Sequence, residues 1–365
     1  MTHLLRLLGF IAMTLGGAAT AADLAKVTLP PGFHIELYAE VPGARSMAVA
    51  EPLGAVFVGT RGGEVFAVLD RDGDAKADEV VTVLSDQNVA NGIAWKDGAL
   101  YVAEQHRVTR YLAPSIGAIG KGPPQVIFDG LPDKGWHGSR YIAFGPDGLL
   151  YVTVGSPCNV CSTQGLEGTI VRFDPTGDKA EVFARGIRNS VGMDFHPGTG
   201  ELYFTDNGAD NMGDDVPPDE FNHAPRAGLH FGFPYYGGGA AATVFLKGAA
   251  PPVSIRMPVV PFGAHVAALG MHFYRGAMLP AEYRGDALVA HHGSWNRAVP
   301  DGYRIARVRF DGAGRATGWE PFAEGPLEDG ASAWARPVDV TELGDGSILV
   351  SDDRAGALYR ITYER

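Results

Sequence analysis

His137 stands in the string Trp136-His137-Gly138-Ser139-Arg140, just ahead of an apolar stretch, Tyr141–Val154, that the turn Pro146-Asp147-Gly148 breaks in two. An imidazole that titrates near neutrality can take a proton from a reacting group at pH 7, so His137 is the foremost candidate for a general base. His265, the pair His291-His292, and His223 and His230 compete with it. None of them falls in a His-Glu-x-x-His or His-x-Glu-x-His spacing, and no Gly-x-Ser-x-Gly elbow occurs, so zinc hydrolysis and serine hydrolysis have little support. A second group is cationic: Arg45, Arg188, Arg336 and Arg297 carry forked guanidiniums of the kind that pair with carboxylate or phosphate. No glycine-rich phosphate loop opens a helix, which points away from a nucleotide and toward a small polycarboxylate. A third group is the segment Thr205–Glu220, dense in Asp, Asn and Gly and therefore in the hard oxygen ligands that calcium takes. No Glu closes that loop at an EF-hand's twelfth position. The acidic stretch Leu69–Glu79, with Asp70, Asp72, Asp74 and Asp78, reads as an exposed turn in which any ion would be structural.

Cys158 and Cys161 are the two cysteines of the chain. Residue 162 is Ser, so this is not a haem-attachment signal, and two thiolates alone do not complete a tetrahedral zinc site. Their flanks read as a loop after a strand rather than a helix start, the setting that lowers a thiol pKa, so a structural disulfide is expected over a redox-active pair.

Elements that position these groups are visible as a repeat. Apolar residues, a Gly-containing turn and an apolar-aromatic run recur from Ser46, Asn91, Arg140, Ser190, Ala268 and Pro337. Further strand-like pieces lie between the copies: EVFAVLD, RVTRYLA, TIVRFDP, YRIARVRFDG and ALYRITYE. The pattern predicts an all-β fold, a single six-bladed β-propeller with four strands per blade. The stretch from Ala209 to Gly238, and Ala240–Pro261, read as long loops. In a propeller, equivalent positions converge on one channel. The residues ahead of each copy are Arg45, Asn91, His137 with Arg140, Arg188-Asn189, His265 and Arg336. Converging cations are unfavourable unless a ligand offsets them.

Composition bounds the rest. A formal net charge of -12 argues against nucleic-acid binding, and there is no basic amphipathic run for a membrane surface. Arg6, the apolar stretch Leu7–Leu15 and Ala19-Thr20-Ala21 read as a signal peptide over residues 1–21, too short an apolar run to span a bilayer, followed by one domain over 22–365. The expected location is the periplasm, or outside the cell.

The strings WHGSRYIAFGPDGLLYVTVGSPCNVC, GIRNSVGMDF, HHGSWNR and RPVDVTELGDGSILVSDD resemble the glucose/sorbosone dehydrogenase family, in its L-sorbosone dehydrogenase-like branch. The resemblance implies a six-bladed propeller that uses pyrroloquinoline quinone (PQQ) and calcium to oxidise a sugar or sugar-derived aldehyde. Under it, His137 is the base, and Arg188, Asn189 and Arg336 contact the cofactor, with Asn91. Gly208 and Ala209 hold calcium through backbone carbonyls, with Asp210 beside them. Arg297 or His292 stands in for a lysine that the family's soluble glucose dehydrogenase places on the cofactor. Ala209 replaces a proline of that enzyme, and Trp136 replaces an acid. With no haem motif in the chain, electrons pass to a separate acceptor, a periplasmic cytochrome or quinone. Two rival classes are a calcium-dependent lactonase-like propeller without PQQ and a non-catalytic binding platform.

Overall fold

The computed structural model describes residues 24–176, 179–238, 243–244, 253–325, 327–328, 332–333 and 335–364. The proposed signal peptide lies outside them, as does most of 240–252.

Six sheets of four antiparallel strands follow one another along the chain, the third joined at its outer edge by the short parallel strand Leu229–His230. Their innermost strands are Met47–Ala50, Gly92–Lys96, Ile142–Phe144, Met193–Phe195, Ala268–Phe273 and Pro337–Glu342, at the six expected copies. These strands contact one another in sequence, and the last touches the first, so the sheets close into a ring of six blades. Blades are numbered 1–6 in that order.

Each second strand is five residues long and buried throughout: Ala55–Gly59, Ala99–Ala103, Leu150–Val154, Leu202–Asp206, Ala287–His291 and Ile348–Asp352. Alternation disappears there because both faces of a blade are covered by its neighbours, so both sets of side chains must be apolar or satisfied. The core of the described residues is accordingly six clusters, one between each pair of adjacent blades, with a small seventh, Val191, Leu269 and Val338, at the inner edges of blades 4, 5 and 6. The strand-like pieces between the copies form the third strands of blades 1, 2, 3, 5 and 6.

Several strands depart from the sequence reading, among them Leu229–His230, Tyr236–Gly237 and Val260–Ala264, which fall in or begin within the stretches read as long loops. Phe33–Glu40, near the N-terminus, is the outermost strand of blade 6, paired antiparallel with Ala357–Tyr363 from Phe33 opposite Tyr363 to Glu40 opposite Ala357. Within the stretch read as a long loop, Pro218–Ala224 is the third strand of blade 4. Its signal is hidden because Asp219, Glu220 and Asn222 are buried polar residues, which breaks the apolar pattern. The loop that precedes it is thus only residues 207–217, and it leaves the second strand of its blade.

Candidate active site

In an antiparallel blade, the start of the first strand and the end of the second lie at the same edge. One end of the channel is therefore lined by residues from both places. Arg45, ahead of blade 1, is 1% exposed; its Nε donates to Asn91 Oδ1 (2.6 Å) and its Nη1 to Asp353, which follows the second strand of blade 6. Asn91 Nδ2 donates to the Arg140 carbonyl (2.6 Å), so its side chain is committed to positioning Arg45 against blade 3. Asp353 also accepts from His292 Nε2 (2.8 Å), and the His292 and Gly293 carbonyls accept from Arg336 Nε (3.1 Å) and Nη2 (2.9 Å). The chain of contacts joins blades 5, 6, 1, 2 and 3.

Burial and the Arg61 charge lower Arg45 to about 10, which still leaves it cationic at pH 7. Burial raises the Asp353 carboxyl, but the His292 hydrogen bond and the charges around it, Arg45 and Arg61 among them, prevail and hold it well below the carboxylate range. Burial pushes His292 down to about 4 against the pull of Asp353, so it is a neutral donor. Asp353 thus faces Arg45 and Arg61, Arg336 lies beside His292, and the buried Asp339 carboxyl, raised by burial to about 7, also acts on Arg45. Among the described residues, Arg45 Nη2 is buried with no hydrogen-bond partner.

His137 enters blade 3 with φ of 50°, the left-handed region, which a side chain other than Gly adopts only under constraint. A Cβ built on Gly155 would lie 2.5 Å from His137 Cβ, so only glycine lets the second strand's exit pass behind the imidazole. His137 Nδ1 is 2.9 Å from the Ser156 carbonyl and 3.1 Å from Ser156 Oγ. A carbonyl only accepts, so Nδ1 carries the proton, and Nε2 keeps its lone pair. Ser156 Oγ donates to the Cys158 carbonyl (2.8 Å), which leaves its own lone pair toward Nδ1. Burial, with the Arg188 charge, lowers His137 to about 3, so it is neutral.

Arg188, 3% exposed, sits beside it on the blade 4 side. Asp206 accepts the backbone N–H of Arg188 (2.8 Å) and of Asn189 (2.6 Å), fixing both residues at the start of the blade. The Asn189 amide oxygen lies against Gly155, next to His137. Arg188 Nη2 pairs with Asp210 (2.7 Å), which also accepts from Asn296 Nδ2 (3.2 Å) in the blade 5 loop. Gly208 N donates to Asp219 (2.8 Å), and among the described residues no hydrogen bond reaches the Gly208 or Ala209 carbonyls. Arg297 donates to the Val299, Asp214 and Ala264 carbonyls, and His265 Nε2 bonds the Gly213 carbonyl (2.8 Å). Both tie the acidic loop in place. Arg140 likewise holds the Gln105, His137 and Pro132 carbonyls. The cysteines form the expected Cys158–Cys161 disulfide. In the other acidic loop, Asp70, Asp72 and Asp78 gather at the surface.

Sequence reasoning missed Arg61, Ser156, Asn159 and Asp353. All four follow the second strand of their blade, the edge that meets the first-strand starts, and that rule would have found them.

A family model described as glucose/sorbosone dehydrogenase matches residues 122–360. An uncharacterized protein of Borreliella burgdorferi is 34% identical over 350 residues, covering 92% of this chain and 91% of that one. Among solved structures, the calcium structure of the Trichoderma reesei carbohydrate-active enzyme of family AA12 superposes with a TM-score of 0.80 at 19% identity, covering 93% of this chain and 97% of that one. The holo form of the pyranose dehydrogenase PQQ domain from Coprinopsis cinerea does so with a TM-score of 0.77 at 19% identity, covering 92% and 97%. The fold is shared with both solved structures, and the length of the family match places this chain in the glucose/sorbosone dehydrogenase family.

Proposed function

We propose that this chain is a PQQ- and calcium-dependent dehydrogenase of the periplasm that oxidises an aldose or a sugar aldehyde hydrate and passes the electrons to a separate acceptor. The observation that carries the reading is a neutral imidazole with its Nε2 lone pair free, set beside the buried Arg188, with the buried Arg45 guanidinium at the same edge of the blades. The residues fit a tricarboxylate: among the described residues, Arg45 has an unpartnered buried Nη2, and the Arg336 guanidinium has hydrogen bonds only on Nε and Nη2. The Gly208 and Ala209 carbonyls offer calcium two of the six to eight oxygens it takes, the remainder falling to cofactor and water.

Bound PQQ would supply a two-electron acceptor, and calcium the Lewis acid that polarises its reactive carbonyl. His137 Nε2 takes the proton of the substrate hydroxyl as its carbon is oxidised, and the Ser156 carbonyl keeps the ring oriented through Nδ1–H. Arg45, Arg188 and Arg336 would hold the cofactor's carboxylates and so orient it. Export fits an enzyme whose disulfide needs an oxidising compartment, and among the described residues no helix is long and apolar enough to cross a membrane. Neither a lactonase nor a binding platform calls for these buried cations beside a base.

The test is reconstitution of purified apoprotein with PQQ and Ca²⁺, followed by cofactor absorbance and by dye reduction with aldoses and aldehydes. His137→Ala is expected to lower kcat/KM by roughly 10²-fold or more while PQQ binding stays. Near-normal turnover in that variant overturns the role of His137, and a wild type that never binds PQQ overturns the reading.

A further inference from the structure

The disulfide encloses a residue that the chemistry above does not use. Asn159 lies between Cys158 and Cys161, in the irregular segment that joins the second and third strands of blade 3. Its carbonyl accepts from Arg188 Nε (2.9 Å) and its Oδ1 from Arg188 Nη2 (2.8 Å), so one edge of the guanidinium is gripped at two points. The same Oδ1 accepts from the Asp210 backbone N–H (2.8 Å), while Nδ2 donates to the Asp210 carbonyl (3.0 Å). Backbone and side chain together therefore link two segments from different parts of the blade 4 edge: the arginine at its entrance and the loop that carries Gly208 and Ala209.

We propose that Asn159 is a positioning residue that sets Arg188 and the Gly208–Asp210 segment in register for the anionic cofactor, and that the Cys158–Cys161 disulfide holds Asn159 in the conformation that does so. The proposal rests on the PQQ reading above. Arg188 has five N–H donors; Nε is taken by the Asn159 carbonyl, Nη1 has one bond to the Asn207 carbonyl (3.2 Å), and Nη2 has two, to Asn159 and Asp210. A single Nη1 hydrogen remains for a ligand, so its direction is fixed by the four bonds already made, half of them to Asn159. The grip requires the Asn159 carbonyl and Oδ1 to point the same way, which an open loop holds only at an entropic cost. Among the described residues, the backbone from Pro157 to Thr163 makes no backbone–backbone hydrogen bond, so the covalent cross-link adds to the side-chain bonds at Cys158 and Asn159 as a restraint that orders it. Ser156, which orients His137, is two residues ahead of Cys158, and its N–H donates to the Arg188 carbonyl (2.8 Å). One cross-linked segment thus supports both the base and the cofactor arginine.

The experiment is PQQ titration of the apoprotein, read by fluorescence quenching in the presence of Ca²⁺, in a double-mutant cycle of Asn159→Ala and Arg188→Ala. Asn159→Ala is expected to raise the PQQ Kd at least tenfold, and to add at least threefold less in the Arg188→Ala background, because the part of its effect that passes through that guanidinium is already lost there. A wild type treated with a phosphine reductant and alkylated, its fold checked by circular dichroism, should show the same loss without any substitution. An Asn159→Ala Kd within twofold of wild type overturns the proposal. So does an equal loss in both backgrounds, which marks a general structural defect. A wild type that does not bind PQQ at all refutes the functional reading instead, and that outcome is distinct from either.

Discussion

Asp353 is paired with Arg45 and also feels the charge of Arg61, and Asp353→Asn tests how the mouth manages its charge. Asparagine keeps the shape and an acceptor for His292 but removes the counter-charge from a guanidinium that is 1% exposed. Deleting one partner of a buried ion pair typically destabilises by about 3–5 kcal/mol, because the other charge is left unpaired. Unfolding entropy of about 2.1 cal/mol/K per residue converts that into a fall in Tm of about 4–7 °C for a chain of this length. Anion binding should move the opposite way. A ligand carboxylate roughly 6 Å from Asp353 across the shared guanidinium is repelled by about 3 kcal/mol at an effective dielectric near 20, before screening. With that repulsion gone, PQQ should bind at least about tenfold tighter, and the Tm gain on adding it should exceed that of wild type. Differential scanning fluorimetry of apoprotein and PQQ-loaded protein reads both. An apoprotein Tm within 1 °C of wild type refutes the buried-pair reasoning, and weaker PQQ binding in the variant refutes this account of the charge at the mouth.

His291 is buried against Phe262 and Trp319, has no hydrogen-bond partner among the described residues, and is lowered by burial to about 3. A depressed histidine keeps its stability contribution above the unfolded pKa of about 6.5 and loses it as pH falls toward the folded value, so His291→Leu should gain about 2 kcal/mol more at pH 5 than at pH 8. Denaturant melts at the two pH values check it; an equal effect at both would be inconsistent with a neutral buried imidazole. Gly155→Ala drives a Cβ into His137, so we expect a loss of about 1–3 kcal/mol from overpacking and a lower kcat at unchanged PQQ affinity. Stability and turnover equal to wild type would show that the strand exit is not closely packed on the imidazole.

The fold was legible because the turns are local signals and the doubly covered second strands leave near-continuous apolar runs. The exceptions have physical causes. Pro218–Ala224 buries acids, and Phe33–Glu40 finds its partner at the far end of the chain, which no local pattern encodes. At the site, the positions ahead of each first strand were readable, and Arg45, His137, Arg188 and Arg336 do converge through the contacts described. Their partners were not, because Asp353, Ser156 and Asn159 act through bonds that depend on which strand ends share an edge. Arg297 illustrates the converse: a guanidinium in a suggestive motif whose donors go to three backbone carbonyls.

The pairing of Phe33–Glu40 with Ala357–Tyr363 makes the first and last strands of the domain one seam. Arg45 belongs to the blade that starts just after this seam, and Asp353 to the blade that the seam completes, so their ion pair spans the joint of the ring. A chain emerging from its N-terminus can stack five blades and still lack Arg336 and Asp353. The mouth proposed to hold the cofactor would then be incomplete until the last residues arrive and the joint shuts, and a ligand that needs both sides of it would act as a clasp on the circle, favouring the closed ring over every opened one.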